Sequence, residues 1–101
     1  MSAYESIAEC RLDLDGARGQ RERYRTLGRQ VETVEREARA VSVRFQPGFD
    51  EDLLREAIRI ERSCCPFFAL DFHPGERLLR ITVDRSAQRP ALDALEYALT
   101  S

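Results

Sequence analysis

The sequence contains no lysine, no asparagine and no tryptophan, and only one histidine and one methionine. All sixteen basic residues are therefore arginine. Lysine Schiff-base chemistry and a lysine general base are excluded. A single imidazole leaves little for acid–base catalysis. Charge of one sign is not in excess: sixteen basic residues face eighteen acidic ones, for a formal net charge of -2. The sequence pI near 5.5 argues against a protein that grips nucleic-acid phosphates. No apolar run approaches the roughly 18 residues of a membrane span. The first twenty residues lack the cationic start and apolar stretch of a secretion signal, so the expectation is a cytoplasmic protein. Glycine-rich phosphate loops, a His-Glu-x-x-His pair and a Ser/His/Asp arrangement in recognisable context are all missing.

What is present suits one small folded unit. The 101 residues are 43% apolar and 34% charged, which fits a single domain over 1–101 with a frayed arm over 1–9. Cys10, Leu12 and Leu14 alternate with charged residues in a short extended pattern, which Gly16 and Gly19 should interrupt. Residues 20–28 have the spacing of an amphipathic helix. The apolar stripe Tyr24, Leu27, Val31, Val34 and Ala38 would allow it to run to residue 38. Gly28 and the β-branched Val31, Thr33 and Val34 favour instead a strand over 31–36. Alternation at Val41, Val43 and Phe45 predicts a strand over 40–46 that ends at Pro47-Gly48. Asp50 is an N-cap for a helix over 51–64, and Pro66 closes it. Strands over 67–73 and 78–83 flank the turn residues Pro74 and Gly75. Pro90 opens a last helix with the stripe Leu92, Leu95 and Leu99. The order helix-strand-strand-helix-strand-strand-helix predicts an α+β fold, with two β-hairpins in a mainly antiparallel sheet and helices on one side.

The segment Glu61-Arg62-Ser63-Cys64-Cys65-Pro66-Phe67-Phe68 carries the most chemistry. Vicinal thiols at a helix end suit soft ions such as Hg(II), Cu(I) or Zn(II). Glu61 precedes them by three and four residues and so shares their helix face. Cys10 is the only other thiol. A tetrahedral zinc site would need a fourth ligand from His73, Glu61 or another carboxylate, and the Cys-x-x-Cys spacing is absent. The helix C-terminus opposes thiolate formation, which argues against an activated nucleophile more than against a metal ligand. Free cysteine is also an ordinary core residue, Glu61 an ordinary solvated one and His73 an ordinary turn residue.

On Glu61-x-x-Cys64-Cys65-x-Phe67, with Cys10-x-Leu12, Tyr24-x-x-Leu27 and Leu79-x-Ile81, the chain resembles a group of small bacterial proteins found in heavy-metal, especially mercury, resistance neighbourhoods. The likeness spans roughly residues 10–99. Relatives often carry a proline where this chain has Val83-Asp84-Arg85. The resemblance implies a soft-metal theme and no mechanism. The resulting expectation is a soft-metal-binding accessory protein with Cys10, Cys64, Cys65 and Glu61 as its metal site and Hg or Zn as the candidate ion. Two alternatives stand beside it. One is a non-catalytic interaction module, a homodimer with core cysteines. The other is a small thiol-dependent enzyme with Glu61 as proton donor.

Overall fold

A computed structural model describes residues 14–64 and 67–100, with side chains from Gly16 onward. The expected arm over 1–9, Cys10, Cys65 and Pro66 lie outside the described residues. Helix α1 spans Leu14–Gly28, and strands β1 (Val31–Glu37) and β2 (Ala40–Phe45) form the first hairpin. Helix α2 spans Glu51–Cys64. Strands β3 (Phe68–His73) and β4 (Leu78–Val83) form the second hairpin, and helix α3 spans Arg89–Thr100. The sheet is antiparallel throughout, in the order β1-β2-β4-β3, so the two hairpins join through β2 and β4. This is the α+β arrangement that the alternation and cap signals predict.

One reading changes, and the choice between a strand and a longer helix after Gly28 is decided in favour of the strand. Gly16 and Gly19 lie inside α1 rather than ending an extended segment. Tertiary burial of Ala17 and Gln20 outweighs the local glycine penalty. The stripe from Tyr24 to Ala38 is not one helix: it divides at Gly28, and Val31–Glu37 pairs with β2. Strand β1 is an edge with alternating charge, and its register slips between Val31 and Thr33. That irregularity and the exposed Glu32, Glu35 and Glu37 discourage pairing with a further strand.

Helix α2 follows from local signals. Asp50 Oδ1 accepts the Leu53 N–H at 3.0 Å, while Glu51 and Asp52 occupy the first turn. Val41, Val43 and Phe45 of β2, Leu79, Ile81 and Val83 of β4, and Phe68 and Leu70 of β3 are buried in a single cluster with residues of all three helices. The opposite sheet face is polar. Pairing places Glu35, Ser42, Arg80 and Asp71 in one row across it, and Arg80 donates to Ser42 Oγ and Glu37 Oε1, both at 3.1 Å.

Arg77 adopts the left-handed conformation (φ 54°) in the β3–β4 turn. Its N–H bonds the Pro74 carbonyl at 3.1 Å, and its Nε donates to the Phe45 carbonyl at 2.9 Å. Helix α1 packs against α2 and α3. A Cβ on Gly28 would lie 2.6 Å from the Leu99 carbonyl oxygen, so α1 and α3 meet backbone to backbone there. No helix among the described residues is long and apolar enough to cross a membrane.

Candidate functional site

The buried stripe of α2 is Leu54, Ala57, Ile58 and Glu61, at helical spacing of i, i+3, i+4 and i+7. Glu61 therefore occupies a core position and is 0% exposed, which replaces the reading of a solvated side chain. A buried carboxyl is costly unless hydrogen-bonded. The opposing helix supplies the partners. Along α1 the buried stripe is Ala17, Gln20, Tyr24 and Leu27, apolar but for its glutamine and the tyrosine hydroxyl.

Tyr24 donates its hydroxyl proton to Glu61 Oε1 in a short hydrogen bond. Gln20 Nε2 donates to the Ala57 carbonyl at 2.8 Å and lies 3.4 Å from Glu61 Oε1 and 3.2 Å from the Tyr24 oxygen. An amide nitrogen has two protons. One serves Ala57 and the other is shared between Tyr24 and Glu61. The glutamine oxygen accepts from Arg23 Nη1 at 3.2 Å, and Arg23 reaches Glu56 at 3.6 Å. A polar chain thus runs from the surface pair Arg23–Glu56 to the buried carboxyl, and it ties α1 to α2.

Cys64 is the last residue of α2, one turn beyond Glu61, and is partly buried against the hydrophobic cluster. Phe67 and Phe68 follow with ring centroids 4.7 Å apart. Arg62 Nη2 donates to the Leu70 carbonyl at 2.6 Å and holds the helix end against β3. Glu61 and Cys64 are thus the two expected site residues within the described part of the chain, and they share one helix end. Cys10 and Cys65 are outside it. His73, the remaining candidate for a fourth zinc ligand, is exposed at the end of β3. Among the described residues, no group of three or more His, Cys, Asp or Glu side chains is arranged to hold a metal ion.

Gln20 and Tyr24 escaped the sequence reading as site residues. Their signal was present: a glutamine and a tyrosine four residues apart, both in the apolar stripe of an otherwise charged helix. Likewise, Glu61 falls seven residues after Leu54 and four after Ala57, in register with the buried face. Comparisons of the chain with protein-family models, with curated proteins and with solved structures find no match to any of them.

Proposed function

We propose that the chain is a soft-metal-binding accessory protein in which Cys64 and Cys65 are thiolate ligands, Cys10 is a third, and Glu61 is the acidic partner of the thiols. The observation that carries the reading is the placement of Glu61. It is a fully buried carboxyl, hydrogen-bonded by Tyr24 and Gln20, one helical turn before Cys64. A core position facing α1 would be served more cheaply by leucine or methionine. A carboxyl held there fits chemistry in which an ion displaces the thiol protons, because metal binding releases protons that a nearby group can take up. The hydrogen bonds from Tyr24 and Gln20 orient that group as outer partners orient metal ligands. The partly apolar setting of Cys64 suits a soft, weakly hydrated ion better than a hard one.

Titration of the fully reduced protein with Hg(II) in the presence of a competing thiol tests the reading. The expected result is one tightly held ion per chain, with the ultraviolet absorption of mercury–thiolate bonds. The variant Cys64→Ser/Cys65→Ser is expected to lose that binding. Unchanged affinity in the double variant would refute the proposal.

The contact of Cys64 with the hydrophobic cluster favours a second reading, in which the cysteine is packing and the protein a non-catalytic interaction module. That reading expects the thiols to react with a thiol reagent only at the rate of unfolding. Rapid reaction of two or more thiols in the folded protein points back to the metal site.

A further inference from the structure

The outer flank of α2 carries an independent feature. Arg55, Arg59 and Arg62 follow one another at four- and three-residue spacing, so their guanidinium groups line one side of the helix. With Ile58 and Phe72 they border a shallow cleft of 290 Å³ between α2 and edge strand β3. Like charges at this spacing oppose helix formation.

Two of the three arginines are fixed. Arg55 bonds Glu51 Oε2 at 2.9 Å, and its guanidinium carbon lies 5.3 Å from the centre of the Phe72 ring. Arg62 is held by the Leu70 carbonyl, a neutral acceptor that leaves its positive charge uncompensated. Arg59, between them, is exposed and has no hydrogen-bond or ion-pair partner among the described residues. The cleft thus presents three positive charges against one carboxylate, above an apolar floor of Ile58 and Phe72.

We propose that this cleft binds a small organic anion with a flat apolar body, of which an aryl carboxylate is the simplest form. The carboxylate takes the two-pronged donation that guanidinium offers, from Arg59 with Arg62 beside it. The flat body lies on Ile58 and the Phe72 ring. Arg55, engaged with Glu51 and Phe72, forms the wall. The volume lies at the lower end of the usual range for ligand pockets, which limits the occupant to a small molecule. Nothing in this assignment depends on the cysteines or on a metal.

The test is a nuclear magnetic resonance titration of the intact protein with benzoate, with acetate and inorganic phosphate as comparison anions. Benzoate is expected to give saturable shifts centred on Ile58, Arg59, Arg62 and Phe72. Acetate and phosphate are expected to bind more weakly, since neither can use the apolar floor. The exposed position of Arg59 allows Arg59→Gln without disturbing the core, and this variant is expected to weaken benzoate at least about fivefold. Shifts that do not saturate, or an unchanged affinity in Arg59→Gln, would overturn the site. Phosphate or acetate binding as tightly as benzoate would overturn the assignment of a flat apolar ligand. So would a glutamate-rich peptide binding the same residues more tightly, which would make the cleft a contact for an acidic protein segment.

Discussion

Glu61, Tyr24 and Gln20 show how strongly one buried polar cluster constrains single residues. Removing one partner of a buried hydrogen bond strands the other, whereas replacing both by apolar groups of similar shape can be close to neutral. Tyr24→Phe removes the hydroxyl that donates to Glu61. It is expected to lower stability by about 1–3 kcal/mol, measured by urea denaturation. Glu61→Met leaves the Tyr24 hydroxyl without its acceptor and is expected to be destabilising too. The double variant Tyr24→Phe/Glu61→Met is expected to be less destabilised than the sum of the single changes, because their mutual hydrogen bond is counted in both single changes but lost only once, even though the second Gln20 amide proton then loses both of these acceptors. A strictly additive result would mean that the two side chains do not interact in solution. If the double variant is stable yet binds Hg(II) poorly, the carboxyl serves the ion rather than the fold.

At the scale of elements, contacts between helices, and between helix and strand, set the arrangement. Where α1 ends, Gly28 lets its backbone approach the Leu99 carbonyl of α3. Gly28→Ala would place a methyl group 2.6 Å from that oxygen. Backbone on both sides cannot yield as a flexible side chain does, so a loss of about 1–3 kcal/mol is expected, read from the thermal midpoint. No loss would show that the helices separate at little cost. Strand β1 is joined to α3 by Arg36, which bonds Asp93 Oδ1 at 2.6 Å and Glu96 Oε1 at 2.8 Å. Burial lowers the Arg36 pKa, but the hydrogen bonds and charges of Glu96 and Asp93 outweigh it and leave it above the ordinary arginine value. The guanidinium therefore stays charged at any pH at which the protein is handled. Elements with local signals were legible in the sequence. Helix α2 has its Asp50 cap, and β2, β3 and β4 have strict alternation, because each depends on neighbours a few residues away. The start of α1 was not legible. Its glycines speak against a helix locally, and only burial against α2 and α3 compensates.

For the whole molecule, the sheet order predicts where stability is concentrated. β2 and β4 are paired on both sides, and their inward residues Val41, Val43, Phe45, Leu79 and Ile81 are at most 1% exposed. Amide hydrogen exchange is expected to be slowest in these two strands. It should be faster in edge strand β1, where one row of backbone groups has no partner strand among the described residues. Protection in β1 equal to that in β2 would indicate that the edge is covered, as in a dimer formed through it. The same architecture leaves the sheet face opposite the described helices polar and sets the arginine cleft at the opposite edge, beside β3.

By itself, the sequence determined the fold class, the two hairpins, the capped central helix and the presence of paired thiols beside a carboxyl. Each of these follows from periodicity, cap chemistry or adjacency within a few residues. Only the tertiary structure decided that the partners of Glu61 come from a helix 37 and 41 residues earlier, and that three arginines share a cleft with Phe72. Those facts depend on which helix faces which. That is settled by the shared burial of apolar stripes and by the few polar groups that must find partners inside them, and no local pattern encodes it.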